Sequence, residues 1–358
     1  MSRARAFVSL GGQDDNLGDS VLRRGLLGSL QSPAVELHVF VGRHSQDYLS
    51  GLGLDGTEYL YRDYNSWRRG AITSALTRRT LYVHNAGEIQ LNSARARNAL
   101  FELAVVLLTR ARGIRPVLVG VGVRNPQDAV PWAVRAATTN CRPLVWRDEE
   151  SLTAVGVGEV GPDWAFGLRS APEESDRPYV AIGMRFDRPR LTAPSLARID
   201  AEIRESGLTP LVVSQVRRDV GPNQEIASQL GCEHITWAGD ADHAAQEKVV
   251  RAAYRRCAAV VSDRLHALII GGTEGAAVLP LVTSPDRKLG RTLKAGGLQV
   301  PIVLAADGES DIDNPLGLSN VLASAEAQQR EIESAALRVN EVGAGIARIV
   351  RDLGGSVA

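Results

Sequence analysis

The segment 257-CAAVVSDRLHALIIGGTEGAAVLPLV-282 decides how the chain is read. An apolar run over 258–261 breaks at Ser262-Asp263. Arg264-Leu265-His266 then opens a stretch that is apolar at nearly every position, and a second apolar run follows it to Val282. Short apolar runs on either side of a helix-length segment specify strand, helix and strand, all buried, as in a parallel sheet. Arg264 and His266 thereby fall just beyond a strand's carboxyl end. Helix N-termini at that edge offer unpaired N–H donors and the positive end of the helix dipole, so anions bind there. Ser262 or Asp263 is the expected N-cap. The competing reading pairs Arg264 with a carboxylate and packs His266 on the helix below. Because the helix is apolar all round, a cation at its mouth needs an anionic partner, which favours a ligand.

The same grammar extends outward. Strands are expected at 5–10, 35–41, 80–84, 116–120, 143–147, 179–184, 210–214, 257–262 and 278–282, with helices opening near Asp19, Ala94 and Pro131 and covering 196–206 and 246–253. Between 167 and 178 the text GLRSAPEESDRP is polar, carries prolines and lacks periodicity, as a linker does. With 358 residues the chain exceeds what one core usually serves. The expected division is an N-terminal α/β domain at 1–168, a C-terminal α/β domain at 178–321, and a helical segment at 322–358 beside or across them.

Composition narrows the function. Hydrophobic residues are 44% and charged residues 23%, which suits a globular protein, and 41 basic residues balance 41 acidic ones. No overall basic field collects nucleic acid, so any anion site is local. Cys141, Cys232 and Cys257 are odd in number and far apart, which suggests neither a disulfide framework nor a metal site. The first apolar stretch is too short for a signal segment and no run is long enough to span a membrane, so a cytoplasmic location without membrane insertion is expected.

Other segments carry polar residues to strand ends. In 10-LGGQDDNLGDSVLRRGLLGSL-30 a flexible loop with Gly11, Gly12, Asn16 and Gly18 precedes a helix that Asp19 or Ser20 would cap. Its spacing is neither GxGxxG nor a Walker A loop, so a structural turn explains it equally well. In 143-PLVWRDEES-151 Arg147 ends a buried strand beside Asp148 and Glu149, as an ion pair or as a ligand site. Asp163, in GPDWAF, suits an Asx turn. Arg185 ends the strand VAIGMR, and Asp286, Arg287, Lys288 and Arg291 follow the strand ending at Val282.

Taken in order, GGQDDNLGD, RDEES, PDWAF and SDRLHAL followed by PDRK resemble the polysaccharide pyruvyl transferase family over nearly the whole chain. HNAGEIQLN departs from the Gly-rich element of many relatives, placing Asn85 and Glu88 where glycines and apolar residues are usual. The resemblance implies two facing Rossmann-like domains with mainly parallel sheets, in the manner of two-domain glycosyltransferases of the B type. It implies phosphoenolpyruvate as a co-substrate, no further cofactor and no metal, with a glycan or other sugar as acceptor. A lipid-linked acceptor would hold the enzyme at a membrane surface. Arg264 and His266 match the family's donor-site arginine and histidine, and Arg147 matches a second donor-binding arginine.

On this reading His266 is the general acid/base. Arg264 and Arg147 clamp phosphate and carboxylate with planar forks. Ser262, Arg185 and Lys288 assist at the donor, and Asn16, Gly18, Asp19, Asn85 and Glu88 belong to the acceptor or cleft loops. The alternatives are a nucleotide-sugar glycosyltransferase of similar architecture and a non-catalytic sugar-binding relative.

Overall fold

A computed structural model describes residues 3–169, 176–284, 286–305 and 316–355, with only the backbone of 93–96. Residues 170–175 of the expected linker and Pro285 of the PDRK segment lie outside the described residues. The chain forms two compact units. The first comprises Met1–Asp14, Asp19–Trp164 and Leu337–Ala358, and the second comprises Asp15–Gly18 and Ala165–Ala336. The division thus falls at Trp164, before the expected boundary at 168. In the terminal segment one helix contributes residues to both units.

In the first unit the order is β1 (Ala4–Ser9), α1 (Leu17–Gly28), β2 (Val35–Phe40), α2 (Gln46–Ser50), β3 (Tyr59–Tyr61), α3 (Tyr64–Thr77) and β4 (Thr80–Val83). There follow β5 (Gly87–Ile89), α4 (Ser93–Ala111), β6 (Leu118–Val123), α5 (Trp132–Thr139), β7 (Leu144–Trp146), α6 (Glu149–Val155) and β8 (Glu159–Val160). The strands run β3-β2-β1-β4 and β5-β6-β7-β8, all parallel. A parallel bridge between Val83 and Val117 joins the two groups.

The second unit holds β9 (Tyr179–Gly183), α7 (Ala193–Glu205), β10 (Thr209–Val213), α8 (Val220–Leu230), β11 (Glu233–Ile235), α9 (His243–Arg255) and β12 (Cys257–Ser262). It continues with α10 (Leu265–Thr273), β13 (Ala277–Val282), α11 (Arg287–Ala295), β14 (Val303–Leu304), α12 (Leu318–Ala323) and the start of α13 (Ala325–Gly355). Its six strands are parallel in the order β11-β10-β9-β12-β13-β14. The third, second and first strands of the unit are followed by the fourth, fifth and sixth, which is the doubly wound order. The winding direction reverses between β9 and β12, and ligands of open parallel sheets bind outside the carboxyl ends of such a pair.

The apolar reading of 257–282 holds in detail. Leu268, Ile269 and Ile270 of α10 are fully buried, each side chain contributing about 1.5–3 kcal/mol through burial. A Cβ on Gly271 would lie 2.4 Å from Val260 Cγ2, so α10 sits against β12 as closely as a helix can. The short strands β3, β5, β8, β11 and β14 carry too few residues to stand out as periodic runs. β6 runs three residues beyond its expected end because Gly120 and Gly122 interrupt the apolar text there.

Candidate functional site at the switch point of the second sheet

Ser262 is in register with Gly183 across the β9–β12 pair, so the loops after these strands start side by side. Neither Ser262 nor Asp263 is the N-cap of α10. That position is Arg264, in extended conformation and with no side-chain cap. The Ser262 hydroxyl donates to the Gly183 carbonyl and accepts from the Arg264 N–H at 3.0 Å, so it ties the two loops together. Asp263 accepts the Arg185 N–H at 2.9 Å on Oδ1. Both expected caps are therefore used on the neighbouring loop.

Arg264 is held in a fork. Its Nε lies 2.7 Å from Asp219 Oδ2 and its Nη2 lies 2.6 Å from Asp219 Oδ1. Asp219, just past β10 and 2% exposed, also accepts the Phe186 N–H at 3.0 Å. The carboxylate partner of the competing reading is thus present. The fork occupies one edge of the guanidinium, however, and Nη1 makes no hydrogen bond among the described residues. Arg185 is forked in the same way by Asp187, at 2.9 and 2.7 Å. That pairing holds the Asp187 carboxyl down at about 2 and raises the guanidinium.

Asp263 behaves oppositely. Burial pushes its carboxyl up to about 7, against the pull of Arg264 and Arg185. Its Oδ2 is buried with no hydrogen-bond partner among the described residues, and so are the Gln215 amide after β10 and the Thr283 hydroxyl after β13. Buried polar groups left this way cost stability unless something satisfies them. All three lie at the carboxyl ends of the strands, where a ligand is expected.

His266 occupies the first turn of α10, half-buried. A Cβ on Gly18 would come within 2.2 Å of its Nδ1, so only glycine lets the backbone lie against the ring. Residues 15–18 are anchored in this unit by the Asn16–Val216 bridge, by Leu17 N–H to Gln215 O at 3.4 Å and by Arg217 N–H to Asp15 O at 2.8 Å. Asp15 also takes Arg218 in a fork at 2.7 and 2.9 Å. Asn16 Oδ1 accepts the Gly18 N–H at 3.0 Å. The helix therefore starts at Leu17, two residues before the expected Asp19. Asp19 instead accepts the Gln13 N–H at 2.8 Å and pairs with Arg23 at 3.3 Å. Lys288 stands half-buried in the first turn of α11, where Asp286 accepts its N–H at 3.0 Å, and Arg188 ties Ser284 and Asp286 to the loop after β9 at 3.1 Å each.

The other expected residues belong to the first unit. Arg147 is 2% exposed. Its neighbour Asp148 is not its partner but the N-cap of α6, accepting the Ser151 N–H at 2.7 Å. The Arg147 guanidinium faces Glu88 at 3.6 Å and Asp163 at 3.7 Å, so Asp163 is a buried counter-charge, not merely an Asx-turn residue. Its Nε and Nη2 make no hydrogen bond among the described residues. Glu88 also pairs with Arg124 at 2.8 Å. Asn85 donates to Gly11 O at 3.0 Å, and its Oδ1 is buried without a hydrogen-bond partner among the described residues.

Asp219, Arg218, Gln215 and Thr283 were missed by the sequence reading. The signal was available in 217-RRD-219, which follows the strand at 210–214 as Arg264 follows β12. Among the described residues no group of three or more His, Cys, Asp or Glu side chains is placed to hold a metal ion. No described helix is long and apolar enough to cross a membrane.

A family model described as polysaccharide pyruvyl transferase matches residues 16–285. The chain belongs to that family. The match contains Arg264 and His266 as well as Arg147, and membership makes the chain a transferase of polysaccharides. No curated protein matches the chain closely enough to count as a relative. Among solved structures, a putative UDP-N-acetylglucosamine 2-epimerase from Listeria monocytogenes is 9% identical with a TM-score of 0.53, over 96% of this chain and 95% of that one. The UDP-GlcNAc 2-epimerase of Methanocaldococcus jannaschii is 10% identical with a TM-score of 0.51, over 98% and 99%. An O-GlcNAc transferase mutant of Thermobaculum terrenum is 13% identical with a TM-score of 0.50, over 99% of this chain and 69% of that one. At such identities the likeness concerns the fold alone, a two-domain α/β architecture shared by these epimerases and transferases.

Proposed function

We propose that the chain transfers the pyruvyl group of phosphoenolpyruvate to two hydroxyls of one sugar, forming a cyclic ketal and releasing phosphate. The observation that carries this reading is the placement of Arg264 at the switch point, held by Asp219 along one edge with Nη1 left over, two residues before His266.

The chemistry follows from the donor. The methylene carbon takes a proton and becomes methyl, which leaves the adjacent carbon electron-poor. A sugar hydroxyl adds there and loses its proton, the C–O bond to phosphate breaks, and a second hydroxyl of the same sugar closes the ketal. One proton ends on carbon and the other on phosphate. His266 is the general acid/base of these transfers, a role that typically contributes ~10²–10⁴-fold. Arg264 Nη1 and the N–H groups opening α10 bind the donor's anionic end, with Arg185 and Lys288 in support. Asp263, whose carboxyl burial raises, carries less negative charge near neutral pH than an ordinary aspartate and so repels that anion less. Ser262 positions Arg264 through the hydrogen bond to its N–H. In the first unit the buried Oδ1 of Asn85 is assigned to a sugar hydroxyl, Glu88 to the same loop, and Arg147 to support of that loop. A cytoplasmic location, where phosphoenolpyruvate is made and used, belongs to the same reading.

Turnover decides the matter. Purified protein given phosphoenolpyruvate and a panel of glycans should release phosphate and add a pyruvyl mass to one of them. UDP-sugar consumption without phosphoenolpyruvate consumption would replace this reading with the glycosyltransferase alternative.

A further inference from the structure

On one side of the first unit's sheet, α3, α4 and α5 pack side by side. α4 buries Phe101, Val105 and Val106 with Trp67, Ala71 and Ala75 of α3, and Ala99 with Ala133 and Val134 of α5. Away from these buried rows the helices expose large apolar side chains: Leu76 is 53% exposed, Leu100 51%, Leu107 52% and Trp132 69%. Leu100 and Leu107 stand two turns apart on α4 with exposed Ala104 between them, which makes one continuous stripe.

The charge around this face is one-sided. By sequence the three helices carry Arg68, Arg69, Arg95, Arg97, Arg110 and Arg135, and their only carboxylate is Glu102. Glu102 is buried, 3.7 Å from His84, so its side chain is not displayed on the surface. Between 64 and 142 the sequence has twelve arginines against Glu88, Glu102 and Asp128, in a chain whose 41 basic and 41 acidic residues balance overall.

We infer that this face docks on an anionic lipid bilayer. Exposed Leu and Trp enter the boundary between headgroups and acyl chains, while long arginine side chains lie along the surface and place their charges among the phosphates. A second copy of the chain fits the face poorly, because a two-fold contact would set arginines against arginines with no carboxylate to answer them. The inference does not depend on the ketal-forming reading, since it concerns helices that carry none of the residues assigned to that chemistry.

The full chain is tested by co-sedimentation with vesicles of phosphatidylcholine alone and of phosphatidylcholine mixed with phosphatidylglycerol. It should pellet with the anionic vesicles only and be released by salt. Leu100→Glu with Leu107→Glu should weaken binding at least about tenfold, and Arg69→Glu with Arg97→Glu should weaken it roughly fivefold per charge, with melting curves like that of the parent. If the glutamate pair melts early, Leu100→Ser with Leu107→Ser takes its place with the same direction expected. Absence of binding, binding that neither pair of changes affects, or light scattering that shows a dimer dissociated by the leucine changes would each overturn the inference.

Discussion

Arg264 and Arg147 are both arginines placed just past the end of a parallel strand, and the family resemblance leads both to be expected at the donor, yet the two units treat them differently. Arg264 is gripped through two short hydrogen bonds by one carboxylate, at 2.7 and 2.6 Å, which fixes its plane and leaves Nη1 over. Arg147 is more deeply buried and faces two carboxylates at 3.6 and 3.7 Å without directional bonds from Nε or Nη2. A forked guanidinium is oriented for something else to bind. One balanced by two opposed charges is already neutralised, and its removal takes a buried counter-charge from both. The contrast fits the proposed ligand-binding role of Arg264 and an expected share of Arg147 in the stability of its unit.

The sharpest way to break this contrast is at His266, whose place beside Arg264 has no counterpart next to Arg147. His266→Asn should reduce kcat by ~10²–10⁴-fold while the melting temperature and the affinity for phosphoenolpyruvate change little. Normal activity per folded molecule in a destabilised variant would make His266 a packing residue instead.

Stability separates the arginines themselves. Arg147→Ala removes the buried cation that faces Glu88 and Asp163, leaving Glu88 with Arg124, and should cost about 3–5 kcal/mol in urea unfolding. Arg264→Lys keeps one bond to Asp219 and should cost far less, while donor use falls severely because one ammonium cannot replace a planar fork. Equal stability losses in the two variants would erase the distinction.

The smallest effect concerns Asp263. Its carboxyl is raised to about 7 from an ordinary 3.8, so the unfolded chain gives up this proton at lower pH than the folded one. The stabilisation it contributes is complete in acid, declines as pH rises from about 4 to about 7, and is gone above that range. Asp263→Asn stays neutral throughout, and its Oδ1 can still accept the Arg185 N–H. The variant should therefore melt above wild type at a pH of about 8 and level with it at a pH of about 4. A difference that does not vary with pH would mean that Asp263 is ionised in the folded protein.

What the sequence disclosed follows from the range of the interactions involved. The strand-loop-helix text of 257–282 carries its own burial pattern, so β12, α10 and β13 could be read from local periodicity, and the placement of Arg264 and His266 followed from it. The partner of Arg264 could not, because Asp219 is 45 residues away in the chain and only the pairing of β10, β9 and β12 brings it near. The caps failed for a related reason. Ser262 and Asp263 are good N-cap residues by type, but the adjacent loop after β9 supplies Gly183 O and the Arg185 N–H, and these bonds claim both side chains. The role of Gly18 was equally hidden, since its need to be glycine arises from a ring 248 residues further on.

The central claim is that the switch point of the second sheet holds a small donor with two anionic groups through Arg264. Calorimetric titration with phosphoenolpyruvate, and separately with UDP, tests it directly in buffer without added divalent metal. Wild-type protein should bind phosphoenolpyruvate and not UDP, and Arg264→Lys should lose most of that affinity while unfolding at nearly the same urea concentration. Tight binding of UDP with none of phosphoenolpyruvate, or undiminished phosphoenolpyruvate binding by Arg264→Lys, would contradict the account.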